Sequence, residues 1–433
     1  MPAPMLSPKI PHVVILGGGF GGLAAARALG KRSTRGRVRV TLIDRQNHHL
    51  FQPLLYQVAT AALSAPDIAS PIRKLLRKNA NTTVLMADVT RIDPKARVVV
   101  LRGEEEKEQE LAFDHLIVAT GMQNAYFGND AWEANAPGLK TLDEALEIRS
   151  RILRAFEGAE RTRDDAERDK LLTFVVVGGG ATGVELAGAL AEIAGKTLAR
   201  DFRNFDPKES RVVLLEGGPR LLPAFDPKLS EKALLSLRGL GVDVRLNTRV
   251  TNVDANGVQI GDEFIPARTT LWAAGLKASG LTAQLGAPLD RAGRVKVNAD
   301  LTLPDNDRIS VLGDLIALEQ DGKPLPGVAQ TAIQSGELAA ANIVASIDGK
   351  PRKNFHYSDR GSMATIGRAS AIAEVKGLRI SGFIAWMMWL FIHVLFLVDF
   401  RNRLAVLFEW AWAYLTWQRS SRVILALNEN RKS

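Results

Sequence analysis

An α/β fold with two Rossmann-like dinucleotide-binding domains and a C-terminal apolar helical tail is what this 433-residue sequence predicts. Three observations carry the prediction. Residues 13–29 (VVILGGGFGGLAAARAL) read as a β-branched strand, a glycine-rich turn and an alanine-rich helix. The same unit recurs without a gap at residues 175–190 (VVVGGGATGVELAGAL). Residues 380–398 form an apolar run in which only Ser381 and His393 are polar.

The first turn contains Gly17, Gly18, Gly19 and Gly22. Such a turn needs glycine at Gly17 to reverse tightly, at Gly19 to let a pyrophosphate reach the backbone, and at Gly22 to let helix and strand pack closely. The helix N-terminus then faces the anion. A second strand, residues 38–43, ends in Asp44, an acceptor-only side chain that suits both hydroxyls of an adenosine ribose. In the repeat, Gly178, Gly180 and Gly183 fall on Gly17, Gly19 and Gly22, and the strand at 212–215 ends in Glu216. Each half is followed by a short apolar strand with a similar end, LIVATG at 116–121 and TLWAAG at 270–275. Two complete sites imply two dinucleotides; a decayed duplication with one live site is the alternative.

The composition, 46% apolar and 24% charged, is that of a globular chain with room for two to three domains. The net charge of +9 fits nucleic acid or an anionic membrane, but no nucleic-acid motif or long basic block is present. Lys376, Arg379, Arg401, Arg403, Arg419 and Arg422 flank or interrupt the apolar tail, which favours the membrane. Zero cysteines exclude a redox-active thiol pair, a persulfide relay and a cysteine-bound iron–sulfur centre. The N-terminus lacks the apolar core of a signal peptide, so the nucleotide sites are expected in the cytoplasm.

Between the motifs, residues 48–60 are too apolar for a surface loop and are expected to lie along a cofactor; the pair His48-His49 finds no third ligand for a metal. A helix is predicted over 64–79, a strand over 83–88, and a hairpin or small sheet from 98–101 with 112–118. A helix at 143–156 and a charged linker at 161–170 lead to the second unit. Strands at 293–298 and 309–312 follow it, the latter running into Gly313-Asp314, where the acid suits either a helix cap or a cofactor hydroxyl.

In the tail, nineteen helical residues reach roughly 28 Å, just short of a hydrocarbon core of about 30 Å. The next apolar run, 404–417, contains Glu409, and Asn402, Glu409 and Thr416 are spaced seven apart on one polar face. Five of the seven tryptophans lie here, a density that marks a water–lipid boundary. Two helices in one leaflet are expected in preference to a single span, with a buried homodimer interface as a further reading.

By these residues the chain resembles the two-dinucleotide-binding-domain flavoproteins, and within them the type II NADH dehydrogenases, single-subunit, non-pumping NADH:quinone oxidoreductases. The resemblance is carried by FQPLLYQVAT at 51–60, by Ala329-Gln330-Thr331-Ala332-Ile333-Gln334, and by the apolar tail. It implies a discontinuous FAD-binding domain (1–140 and 276–345), an inserted NAD(H)-binding domain (141–275) and a membrane-anchoring region (346–433). It assigns non-covalent FAD to Gly17, Gly18, Gly19, Gly22, Asp44, Val89, Thr120, Gly121, Asp314, Ala329 and Gln330. NADH falls to Gly178, Gly180, Gly183, Glu185, Glu216, Ala274 and Gly275. Quinone falls to Gln330, Gln334 and Lys376, with Glu185 the acid near nicotinamide and flavin and no metal required. For Glu185 an ordinary first-turn glutamate, and for the glutamines backbone bonding at a helix start, are the alternatives. The absence of a calcium-binding loop and of a presequence implies a bacterial protein, peripheral (monotopic) on the cytoplasmic face of the inner membrane, with quinone and the bilayer surface as partners. A soluble-type NADH-dependent ferredoxin reductase-like flavoprotein and a non-enzymatic FAD/NADH redox sensor at the membrane remain competing readings.

Overall fold

A computed structural model describes residues 10–34, 36–103, 107–419 and 421–424. The chain divides into two compact units: Met1–His49, Ser70–Gln123 and Leu276–Asp359 make the first, and Leu50–Ala69, Asn124–Gly275 and Arg360–Ser433 the second.

The first unit is built on a six-stranded sheet in the order Thr302–Leu303, Asn306–Val311, His115–Val118, His12–Leu16, Arg39–Asp44, Thr82–Met86. All neighbours run parallel except the first pair. His12–Leu16 is buried along its whole length, as a parallel strand covered on both faces must be. The helix Phe20–Leu29 follows the glycine turn, and the long helix Ala329–Ile347 crosses it closely. A Cβ on Gly336 would stand 2.2 Å from the Gly21 carbonyl oxygen, so the two backbones touch there.

Several expected elements change. The strand Val98–Arg102 pairs with Glu108–Ala112 and with Asp88–Asp93, whereas His115–Val118 joins the parallel sheet beside His12–Leu16. The helix predicted over 64–79 is two short ones, Ala65–Ile68 and Ile72–Leu76, separated by extended Ala69–Pro71. Pro71 lacks an N–H and pushes Ser70 out of the helical region. Of 293–298 only Val295–Lys296 is a strand, paired with Ile316–Ala317. The charged stretch at 161–170 contains a helix, Asp165–Leu171, whose N-terminus Asp164 caps by accepting from Ala166 N at 3.0 Å.

The second unit repeats the plan. Its parallel sheet runs Asp243–Arg245, Arg211–Leu215, Thr173–Val177, Thr269–Trp272. Its core gathers Val175, Val177, Val213, Leu215 and Trp272 with Tyr126, Val258 and Ile265. The helix Ala181–Glu192 follows the second glycine turn, and a three-stranded antiparallel sheet (Ser362–Gly367, Ser370–Val375, Leu378–Gly382) packs on it. Contact is close because Gly188 has no side chain: a Cβ there would lie 1.7 Å from the Ile366 carbonyl oxygen.

The tail departs most from expectation. Residues 380–382 belong to the strand Leu378–Gly382, so the helix that follows, Phe383–Phe396, has 14 residues and spans only about 21 Å. A second helix, Phe400–Thr416, starts at the Asp399 cap. Among the described residues no helix is long and apolar enough to cross a membrane. Asn402 does not share an outward polar stripe with Glu409 and Thr416. It is buried and donates to the carbonyls of Pro66 (3.0 Å) and Ala69 (3.4 Å). Trp389 is a core residue, 2% exposed, rather than a boundary tryptophan. Phe383, Ile384, Met387, Phe391 and Leu395 from one helix, and Phe400, Leu404, Phe408 and Leu415 from the other, remain exposed.

Candidate functional site

In the first unit the strand His12–Leu16 delivers the chain into a turn that only glycine can make. Gly17 has φ +98°, and a Cβ there would meet the Ala119 carbonyl oxygen at 2.4 Å. A Cβ on Gly22 would lie 1.9 Å from the Gly17 carbonyl oxygen, whereas one on Gly19 would meet nothing within 4 Å. Two glycines are thus demanded by the fold, and the third opens the backbone outward. The Asp44 carboxylate accepts from Gly18 N at 2.5 Å and Gln46 N at 2.8 Å. Burial raises its pKa, and those two N–H groups oppose the rise. Two bonds leave lone pairs for a ribose.

Thr120 and Gly121 (φ +67°) follow the strand His115–Val118, and the Thr120 hydroxyl oxygen is buried with no hydrogen-bond partner. Asp314 stands in the short turn Gly313–Leu315, and Val89 in the strand Asp88–Asp93. Ala329 and Gln330 open the helix Ala329–Ile347. Gln334, one turn on, uses its amide against Ser358: Nε2 donates to the carbonyl at 3.0 Å and Oε1 accepts from the N–H at 2.9 Å. His49 is buried, its Nδ1 2.9 Å from the Gly18 carbonyl oxygen. An open pyrophosphate face, a ribose acceptor and an orphaned buried hydroxyl on the neighbouring strand end fit FAD.

The second unit reproduces the cradle atom for atom. Gly178 has φ +111°, with a Cβ meeting the Ala273 carbonyl oxygen at 2.6 Å. A Cβ on Gly183 would lie 1.8 Å from Gly178 O, and Gly180 is open. Glu216 accepts from Gly179 N at 2.6 Å and Gly218 N at 2.5 Å, as Asp44 does from its own loop. Ala274 and Gly275 follow the strand Thr269–Trp272. This fits NADH. Arg220 is committed elsewhere, donating to the carbonyls of Phe225 and Pro223 at 2.7 Å each.

The second unit also holds a cavity of about 850 Å³ with predominantly apolar walls. Tyr56, Gln57 and Thr60 line one side, Glu185, Ala189 and Glu192 of the helix Ala181–Glu192 another, and the tail helices the rest. Glu185 and Glu192, seven residues apart, share a helix face. Burial pushes the Glu185 carboxyl up to about 8, with the Thr365 backbone N–H acting in the opposite direction. Glu185 is therefore largely neutral at pH 7. Arg419, which the sequence places among membrane-flanking charges, has a side chain only 10% exposed: it donates to the Thr60 carbonyl at 2.7 Å and pairs with Glu192 at 3.3 Å. Arg422 likewise pairs with Asp201. Lys376 sits exposed at the turn between Ser370–Val375 and Leu378–Gly382 and is not among the cavity-lining residues. Tyr56, Thr60, Glu192 and Arg419 carry no sequence signal for this role; the apolar run 51–60 is the only hint.

Comparison with known proteins places these features. Residues 11–336 match the pyridine nucleotide-disulphide oxidoreductase family and residues 360–417 the NDH2 C-terminal domain. The fold and its two cradles are thus those of a two-dinucleotide flavoprotein, although with no cysteine this one carries no redox disulfide. Two curated relatives from Mycobacterium tuberculosis are type II NADH:quinone oxidoreductases. NdhA is 46% identical over 95% of this chain and 89% of its own length, and Ndh 44% identical over 96% and 91%. The solved structure of NDH2 from Plasmodium falciparum in complex with NADH superimposes with a TM-score of 0.87, at 20% identity, covering 96% of this chain and all of that one. The chain belongs to the type II NADH:quinone oxidoreductases.

Proposed function

We infer that the protein is a membrane-associated, FAD-dependent NADH:quinone oxidoreductase that pumps no protons. The observation that carries this reading is the place of Glu185, a buried acid whose pKa burial raises to about 8, in the wall of an apolar cavity and on the helix that starts at the second dinucleotide loop. FAD, when bound, takes a hydride from NADH and gives up two electrons to a quinone. The chain's residues supply binding and proton management. Gly17, Gly18, Gly19, Gly22, Asp44, Val89, Thr120, Gly121, Asp314, Ala329 and Gln330 hold FAD, and Gly178, Gly180, Gly183, Glu216, Ala274 and Gly275 hold NADH. Gln330 and Gln334 serve the quinone, Gln334 while anchored on Ser358 and with one amide N–H to spare. The domain division at 1–140 with 276–345, 141–275 and 346–433 goes with these roles. NADH-dependent reduction of a quinone by purified protein in detergent is the direct test; no turnover above the rate without enzyme rejects the reading.

The exposed apolar side chains of the two tail helices suit one leaflet of an anionic bilayer, and we assign the protein to the cytoplasmic face of a bacterial inner membrane, bound peripherally. A homodimer through the same face is the competing occupant. Co-flotation with anionic vesicles supports the first, and a detergent-resistant dimer that does not float supports the second.

NADH should be preferred over NADPH, because Glu216 presents a carboxylate where a 2′-phosphate would add like charge. Arg220 is tied to the carbonyls of Phe225 and Pro223 and so is held back from offsetting it. Glu216→Gln is expected to narrow the ratio of kcat/KM values roughly ten-fold, about 1.4 kcal/mol. An unchanged ratio removes Glu216 from this role.

Glu185 also sets a pH dependence. Its folded pKa, about 8, lies above the ordinary 4.5, so between these values the folded state keeps a proton that the unfolded chain has lost. Stability from this group is present at low pH and falls as pH rises through that window. Wild-type Tm should decline from pH 5 to pH 9 more steeply than that of Glu185→Gln, and quinone turnover should lose a limb near pH 8 in the variant. Matching Tm profiles for the two proteins would contradict the assignment.

A further inference from the structure

The tail reaches into the cavity through a hydrogen-bonded chain. Trp410 Nε1 donates to Gln57 Oε1 at 2.7 Å, and Gln57 Nε2 donates to the Tyr56 hydroxyl oxygen at 2.9 Å. An indole N–H can only donate, so the Gln57 amide must turn its oxygen to Trp410 and its nitrogen to Tyr56. The Tyr56 oxygen is thereby an acceptor on that side, and its own proton is left to point elsewhere. Tyr56 is 7% exposed and lines the same cavity as Glu185. The surroundings keep it a phenol: burial raises its pKa far above 10, Glu185 and Glu192 raise it further, and the Gln57 bond and Arg419 only partly oppose this. A neutral hydroxyl in an apolar cavity, with its donor direction fixed by a neighbour, suits a ligand carbonyl.

We propose that Tyr56 is the hydrogen-bond donor to a quinone carbonyl bound in this cavity, and that Gln57 and Trp410 are positioning residues that aim its hydroxyl. The proposal rests on the reading of the protein as a quinone reductase and adds that the quinone carbonyl is held in this cavity. It goes beyond that reading in tying quinone recognition to a tail residue 353 positions away from Gln57 in sequence. The bond is one of recognition; the two electrons and one proton that turn quinone to quinol would come from the NADH hydride by way of FAD, and the second proton from solvent.

The test is stopped-flow kinetics on the full-length FAD-loaded protein, with a short-chain benzoquinone as oxidant and reduction by NADH as the control half-reaction. Tyr56→Phe should slow reoxidation by quinone about ten-fold, mostly through weaker quinone binding, as expected for one hydrogen bond to a carbonyl. Trp410→Phe, which keeps an aromatic ring but loses the N–H, should slow it about three-fold. The double variant should match Tyr56→Phe, because Trp410 acts only through Tyr56; a packing role would make the two losses multiply. Reoxidation by Tyr56→Phe at the wild-type rate, or multiplying losses, overturns the proposal. Leu390→Trp fills the cavity and separates the two levels. If it blocks quinone reduction while Tyr56→Phe does not, Tyr56 alone is wrong; if it leaves quinone reduction intact, the cavity is not the quinone site and both fail.

Discussion

Gly22→Ala is expected to purify without flavin and to oxidise NADH at on the order of 1% of the wild-type rate, the consequence of a hundred-fold or greater loss of FAD affinity, about 2.8 kcal/mol. The added Cβ would stand 1.9 Å from the Gly17 carbonyl oxygen, and the atom it meets is backbone. No side chain can swing aside, so the helix Phe20–Leu29 must move away from the loop. Overpacking of this kind costs roughly 1–3 kcal/mol in stability and displaces the N–H groups that would face a pyrophosphate. Gly19→Ala is the informative partner, since a Cβ there meets nothing within 4 Å. Its Tm without flavin should match that of wild-type apoprotein, while its methyl obstructs the open face, so excess FAD should restore activity in Gly19→Ala and not in Gly22→Ala. The ratio of flavin to protein absorbance and the melting curve read both effects. Full flavin occupancy with an unchanged Tm in Gly22→Ala would show that the loop relaxes cheaply.

That both cradles are legible in the sequence has a physical cause. Gly17 and Gly178 need positive φ, Gly22 and Gly183 need a missing side chain, and Asp44 and Glu216 end strands whose register on the neighbouring strand puts them beside Gly18 and Gly179. Each requirement is local and falls on one residue type. The cavity has no such signature. Tyr56, Glu185, Thr365, Trp410 and Arg419 come from four separated segments, and each has an ordinary role when read alone. Hydropathy misplaced the tail for a related reason. It averages over residues 380–398, whereas pairing of Leu378–Gly382 with Ser370–Val375 decides where the helix starts. Seven-residue spacing groups Asn402 with Glu409, but Asn402 turns inward to donate to the carbonyls of Pro66 and Ala69. Arg419 looks like a lipid-facing charge until Glu192 and the Thr60 carbonyl are found opposite it.

A chain ending at Gly382 should keep its FAD and its reduction by NADH, yet lose quinone reduction by on the order of a hundred-fold, about 2.8 kcal/mol in the barrier. Gly382 is the natural cut because it ends the third strand of the C-terminal sheet, so Ser370–Val375 stays paired and Thr365 still meets Glu185. What is lost is the rest of the cavity: Trp389, Trp410 and Arg419 go, leaving Tyr56, Gln57 and Glu192 open to water. The FAD cradle lies wholly in Met1–His49, Ser70–Gln123 and Leu276–Asp359, which the cut does not touch. Ferricyanide, a small anion with no need of an apolar cavity, should still accept electrons. Loss of membrane attachment alone could mimic this result with a long-chain quinone, so the assay uses a short-chain quinone in detergent and a second variant. Ile384→Asp with Phe408→Asp places charges on the exposed face of both helices, at 65% and 67% exposure, and touches no residue that lines the cavity. It should fail to float with anionic vesicles and still reduce the short-chain quinone near the wild-type rate. If the shortened chain also does so, the tail serves attachment only; if it loses FAD, the tail supports the fold of the first unit.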